Sequence, residues 1–529
     1  SLEHIGILMY VLSKTKRWWP VVAPHLIPLG FGSSYHNNIT GAELEEENRL
    51  CTLVEVERGH EDSRRRSSIV ISAFQTWMGE GRPVGRGDIF HTMNRLRKLV
   101  MYHRALQVAE WVVRERPYKL KEIDYSYLLE FTAKVRGIVR TEKLFMLIPP
   151  EFQNELLYNN LVLACLERRL IGKTMQYMKK MREHGLPIAP LIYNKLILLN
   201  ESLGHKESIC SILVQMKADG VAPNTRTYNI LLNIKAKDYD IEGIQNVFDT
   251  MKQGNVSPNE ITYCILANAY AIARLYTAAE AFVEALEKEK TGTNWSTLDI
   301  LMLLYGSLRR EEDLERTWEL VKKLPNIRCK SYLLAVESFG KIGCIDKAEE
   351  IWQELMSKGG AKSTDHYNAI ISIYGRHGLI QKSSHIFEEM QASSCKPNAI
   401  TFRHLILCCL KADLVNEGLQ SINMAENFQI TNQIKLSTPW LETTLMIVEM
   451  FANKGNVEFA ERFFADITKS KYSRYTFVYN TLLKAYVKAN LCPHDFIRRM
   501  ILSGARPDSE SYSLVKLLEQ STLVAIQDL

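Results

Sequence analysis

A chain of 529 residues is too long for one hydrophobic core and must form either several domains or one elongated array. Hydrophobic residues make up 46% and charged residues 24%, an ordinary balance for a soluble fold, and no window approaches the roughly 18 uninterrupted apolar residues of a membrane span. The net charge of +6 leans only slightly towards a polyanionic partner.

Residues 4–42 contain no Asp or Glu but carry Lys14, Lys16, Arg17, Ser33 and Ser34, the composition of an organellar transit peptide, which we expect over residues 1–42. Residues 43–87 read as a charged linker followed by a short helical segment, broken by Gly79, Gly81, Pro83, Gly85 and Gly87. The Arg64–Arg66 run in this linker is more simply a solvated charge run than a nucleic-acid contact.

From residue 88 to 529 the chain repeats. Tyr193, Tyr228 and Tyr263 are 35 residues apart, as are Met181, Met216 and Met251, and Pro223-Asn224 recurs at Pro258-Asn259. A fixed period in this range marks a solenoid of stacked supersecondary units. Each unit carries apolar residues at helical spacing in both halves, so the unit is a helix pair and the Tyr and Met stripes are packing positions between repeats. Gly137, Gly343 and Gly378 stand where first helices stop. After Phe402 the register slips by about seven residues, placed at Gln429 to Trp440, where a loop or a lengthened helix is predicted. Regular spacing returns at Tyr479-Asn480, a short unit reaches Tyr512, and a terminal helix covers Leu514 to Gln520. The fold class is all-α, a solenoid of about eleven 35-residue helix-turn-helix repeats.

Ten cysteines are scattered without a C-x-x-C pair, so the sequence predicts no disulfide framework, no metal site and no cofactor. A deaminase-type extension would need H-x-E and a later C-x-x-C, and the carboxy-terminal end has neither. No P-loop or G-x-G-x-x-G stands out. The chain is therefore read as no enzyme, with no small-molecule substrate.

The repeat has the consensus Thr-Tyr-Asn-x-Leu-(Leu/Ile), a mid-turn Gly, Ala-Glu in the second helix, Met near its end and a closing Gly-x-x-Pro-Asn. TYNILLNIKAKDYDIEGIQNVFDTMKQGNVSPN (227–259) and HYNAIISIYGRHGLIQKSSHIFEEMQASSCKPN (366–398) carry it. This resembles the pentatricopeptide repeat (PPR) family, in its P class of uniform units common in plant organelles, over about 440 residues. Segments such as LRKLVMYHRALQVAEWV and NWSTLDILMLLYG look like a mitochondrial-type branch, with the chloroplast as the alternative compartment.

The resemblance implies a right-handed α-solenoid that binds single-stranded organellar RNA, one base per repeat, through the residue after the Tyr and the last residue of the unit. Carried over, Asn194 with Asn224, Asn229 with Asn259, and Asn368 with Asn398 read pyrimidines, and Asn480 with Asp508 reads uracil. Weaker candidates are Ser126 with Asn154, Asn159 with Ala189, Cys264 with Asn294, and Arg403 as a phosphate or stacking contact. Asp299, Leu333 and Leu445 depart from the pattern. The implied site is two pyrimidines, three undetermined bases, a pyrimidine, two undetermined bases and a uracil. Asn224, Asn259 and Asn398 each follow a Pro and precede a helix, where an N-cap also belongs. The expected role is RNA stability, processing, splicing or translation by sequence-selective occupancy. The alternatives are a subunit or assembly factor of the mitochondrial ribosome, holding ribosomal RNA and ribosomal proteins, or a protein-binding scaffold.

Overall fold

The structure, a computed structural model, describes residues 74–79, 83–289, 295–325, 327–358, 363–393, 395–414, 418 and 437–527. The expected transit peptide, the Arg64–Arg66 run and most of the insertion between Gln429 and Trp440 lie outside these residues. Two compact units divide the chain, one ending at Ile230 and the other running from Leu231.

The first unit contains α1 (Arg86–Lys98), α2 (Tyr102–Glu115), α3 (Glu122–Arg136), α4 (Ile138–Leu147), α5 (Glu155–Glu167), α6 (Ile171–Glu183), α7 (Pro190–Ser202) and α8 (Ser208–Ala218). The helix α9 (Thr225–Lys237) spans the boundary. The second unit continues with α10 (Ile241–Gln253), α11 (Glu260–Ile272), α12 (Tyr276–Glu289), α13 (Trp295–Leu308), α14 (Glu311–Lys322), α15 (Cys329–Ile342), α16 (Ile345–Ser357), α17 (Thr364–His377), α18 (Ile380–Ala392) and α19 (Ala399–Lys411). It closes with α20 (Thr438–Asn453), α21 (Val457–Thr468), α22 (Thr476–Ala489), α23 (Phe496–Leu502) and α24 (Ser509–Gln527). Among the described residues there is no strand, and the helices alternate as first and second members of pairs except that α19 and α20 are both first helices.

The turn chemistry follows the sequence. Gly343 and Gly378 end α15 and α17 in the left-handed region, where a side chain is strained. Met181, Met216 and Met251 are fully buried, as the packing role of the stripe requires. Each Met contributes roughly 1.5–3 kcal/mol by leaving water.

A second set of ties runs between repeats. Tyr270 donates to Gln245, Tyr374 to Glu349 and Tyr486 to Glu461, each 25 residues back. The hydroxyls thus pin the end of a first helix to the preceding second helix.

Two details differ from the sequence reading. The terminal helix, expected over Leu514 to Gln520, is the 19-residue α24, because no Gly or Pro interrupts Ser509–Gln527. The helix over 74–79, in the expected amino-terminal helical segment, also packs on the first pair, a contact the sequence did not show. Phe74 and Trp77 are buried, and Phe74 stacks on Trp111 of α2 with ring centroids 4.0 Å apart, covering the end of the first pair.

Within the second unit, α11, α13, α15, α17, α19, α20, α22 and α24 pack successively on one another. Their partner helices pack on their own pair and on the next first helix. The first helices therefore form one continuous packed row. Glycine sets their spacing: a Cβ on Gly340 would fall 2.3 Å from Ile373, and one on Gly375 2.6 Å from the His404 carbonyl oxygen.

Candidate nucleic-acid interface

Most first helices carry a Tyr at the packing position, replaced by Leu298 in α13, Phe402 in α19 and Thr444 in α20, and one residue later the side chain proposed to face a base. These second positions form a polar row inside otherwise apolar helices. Ser126, Asn194, Asn229, Asn368 and Asn480 are each 8% exposed or less, as are the variants Cys264, Asp299 and Arg403. A buried polar side chain needs a hydrogen-bond partner, and the next repeat supplies it.

The clearest unit is Asn368 with Asn398. Asn398 caps α19, its Oδ1 accepting from the amides of Ile400 at 3.0 Å and Thr401 at 3.1 Å. Asn368 Nδ2 donates to the same Oδ1 at 3.2 Å, so the two candidates touch. Thr401 Oγ1 has one proton. It lies 2.6 Å from Asn368 Oδ1 and 3.2 Å from Asn398 Oδ1, so the proton goes to Asn368. Asn398 Oδ1 is fully taken up and Asn368 Oδ1 keeps one lone pair, so the remaining capacity of the pair is chiefly N–H donors.

The pair Asn480 and Asp508 is built the same way but ends with the opposite polarity. Asn480 Nδ2 donates to Asp508 at 3.1 Å and to Glu510 at 2.9 Å, and Ser511 Oγ donates to Asn480 Oδ1 at 2.7 Å. Burial raises the Asp508 carboxyl, but hydrogen bonds from Ser511 and Asn480 outweigh it and hold the group below the usual carboxylate range. An ionised Asp508 offers acceptors only.

Asn154, Asn224 and Asn259 also take N-cap positions. Asn154 accepts from Leu156 at 3.1 Å, Asn224 from Thr227 at 3.0 Å and Asn259 from Thr262 at 3.1 Å. Capping and base reading are not exclusive, because the cap itself uses Oδ1 and not Nδ2. Asn194 Oδ1 is buried without a hydrogen-bond partner.

Elsewhere the structure ties the candidates to other tasks. Asn159 holds the Ala189 amide at 3.0 Å and reaches the Pro187 carbonyl, so it braces the connection between repeats. Ser126 accepts from Asn160 at 2.6 Å. Burial pushes the Cys264 thiol up to about 12, so it stays protonated. Arg403 meets Asp466 at 2.8 Å and lies 4.1 Å over Trp440, committed to its own repeats. Asp299 is ion-paired to Arg328 at 2.9 Å and accepts from Ser331 at 2.6 Å. Asn294 lies outside the described residues.

Sequence reasoning missed the hydroxyl that links repeats. Thr227, Thr262, Ser331, Thr401 and Ser511 are all fully buried at the third residue of a first helix. The signal was present: Thr227 and Thr262 recur with the same 35-residue period as the Tyr that follows them.

Paired helices stacked through first helices, with one largely polar row along them, define a helical repeat protein. Its relatives give the family. The PPR repeat family matches residues 362–411, the pentatricopeptide repeat domain matches 176–238 and 211–272, and the PPR repeat matches 331–360. A mitochondrial pentatricopeptide repeat-containing protein of Arabidopsis thaliana is 50% identical over 449 residues, covering 85% of this chain and 84% of the relative. A second from the same plant, also mitochondrial, is 27% identical over 437 residues, covering 83% and 72%. The chain belongs to the pentatricopeptide repeat family, and its compartment is the mitochondrion. Among solved structures, the maize pentatricopeptide repeat protein PPR10 is 17% identical with a TM-score of 0.31, covering 91% of this chain and 78% of that one. Its complex with an 18-nt psaJ RNA element is 16% identical with a TM-score of 0.32, covering 92% and 86%.

Proposed function

We propose that the chain binds single-stranded mitochondrial RNA along its inner polar row and acts by occupying a defined sequence, without catalysis. The observation that carries this reading is the pairing of Asn368 with Asn398 and of Asn480 with Asp508, with opposite unused polarity. The donors left on Asn368 and Asn398 suit the O2 acceptor that cytosine and uracil share. The acceptors left on Asp508 suit the N3–H of uracil, which cytosine lacks. Stacking in single-strand readers contributes about 1–3 kcal/mol per base, so a few such repeats suffice for modest selectivity. Occupancy of this kind guards a transcript end, keeps a start site unfolded or assists splicing.

Crosslinking the tagged chain to RNA in isolated mitochondria, then sequencing the bound fragments, tests the proposal. One sharp footprint on a messenger or intron, with pyrimidines at the predicted spacing, is expected. Reads confined to ribosomal RNA would replace the reading with a ribosomal one, and absence of enriched RNA would leave a protein scaffold.

A further inference from the structure

Tyr239 occupies the turn between α9 and α10 with φ +52°. The equivalent turn positions at 35-residue spacing, Arg169, Gly204, Arg274 and Arg309, share a positive φ and are exposed, whereas Tyr239 is 8% exposed. A bulky side chain is strained in that backbone region, and a solvent turn gains nothing from an aromatic ring. The ring is instead enclosed by residues from far along the chain. Its hydroxyl meets Thr438 Oγ1 at 2.9 Å across a separation of 199 residues. Its edges meet Tyr472 and Tyr475, with centroids 5.2 and 5.8 Å away.

The neighbouring residues on the same edge make the same crossing. Asp240 pairs with Arg474 at 3.6 Å and Glu242 with Arg506 at 2.6 Å. Arg274 reaches Glu449 at 3.3 Å and lies 4.4 Å over Phe477. Tyr239 and Ala273 belong to one buried cluster with Trp440, Tyr472, Tyr475 and Tyr479, and Ile241 and Ile272 pack against it. All of these contacts lie within the second unit.

We propose that this is a clasp. The edge carrying Tyr239 and Arg274 latches onto the edge carrying Thr438, Tyr475 and Arg506, closing the intervening repeats into a ring-like turn. It must open before a strand can reach their inner row from the side. The gating rests on the RNA reading above; the closure does not. Opening needs only a few ion pairs and one aromatic contact set to part, with the helix pairs intact.

The experiment uses the full chain with Glu242→Cys and Arg506→Cys together, and separately Tyr239→Gly, which keeps the backbone conformation that Gly204 already adopts. A bis-methanethiosulfonate reagent, whose spacer replaces the length of the lost Glu242 and Arg506 side chains where a direct disulfide would not reach, should form the crosslink, identified by peptide mass after non-reducing digestion. The locked chain should lose capture of a circular RNA carrying the predicted site, and reduction should restore it. Tyr239→Gly should lengthen the maximum dimension in X-ray scattering and speed circular-RNA capture. Absence of both the crosslink and the lengthening would overturn the clasp. A crosslinked chain that captures circular RNA as the reduced chain does would overturn the gate. A chain that binds no RNA, linear or circular, in any state would overturn the RNA reading and the gate together, with the crosslink still deciding closure.

Discussion

At the scale of single residues, the proposed base reading depends on which hydrogen-bonding capacity remains after each repeat has satisfied itself. Asp508 spends Oδ1 on Ser511 and Asn480, yet stays an acceptor-only group. Asp508→Asn would add two donors there, and competition binding of RNAs differing only at that nucleotide should show the uracil preference relaxing towards cytosine. An unchanged preference would remove Asp508 from the reading set. His404, on the same helix as Arg403, makes a prediction about stability. Burial and the nearby Arg376 guanidinium push its imidazole down to about 3 from an ordinary 6.5. The unfolded chain then binds the extra proton between those values, so this contribution is complete above pH 6.5 and is lost as pH falls towards 3. His404→Leu should flatten the pH dependence of urea unfolding across that window by up to about one proton. An unchanged slope would show that the imidazole charges in place.

At the scale of elements, close packing of successive first helices depends on glycines that leave no room for a methyl group. A Cβ on Gly375 would meet backbone of the next first helix, the His404 carbonyl oxygen, which cannot swing aside as a side chain can. Gly375→Ala should therefore destabilise the chain by about 1–3 kcal/mol, the usual effect of overpacking. Gly172, in the first turn of α6, has nothing within 4 Å of an added Cβ, so Gly172→Ala should be neutral or stabilising by up to about 1 kcal/mol. Thermal unfolding of the two variants separates close approach from general loss of glycine. These elements were largely legible beforehand, because the helix period and the left-handed turns at Gly343 and Gly378 leave a direct trace in residue type. Other turns did not show themselves, since Arg169, Tyr239 and Arg309 adopt the same conformation without being glycine. The row after the Tyr was legible as a period, but its polarity was not. That polarity depends on which oxygen the buried hydroxyl of Thr401 or Ser511 approaches, a matter of tenths of an ångström.

At the scale of the whole molecule, the small net charge hides an uneven distribution, with acid concentrated on several second helices of the second unit. The second helices α12 and α16 each carry four acidic residues against one lysine, and α14 carries five against two basic ones. The first helices α9, α19 and α22 carry Lys or Arg and no acid. The first helices α11, α13 and α20 carry acid and no Lys or Arg, so that row is mixed in sign, while the acidic second helices α12, α14 and α16 disfavour a polyanion on their side. Such an arrangement gives RNA a preferred row without the strong non-specific attraction of a highly basic protein. The binding constant should therefore fall with salt only gently. If the strand is held at the four reader pairs, the log–log slope should be near −3, since each single-strand phosphate contributes about 0.7. Placing a cation on the outer row, Glu284→Lys, should leave that slope and the sequence preference unchanged. A rise in slope in that variant would mean that RNA already runs across the second helices. A slope near zero in the unmodified chain would mean that no phosphate is held at all, and the inner row would then have to be read as structure alone.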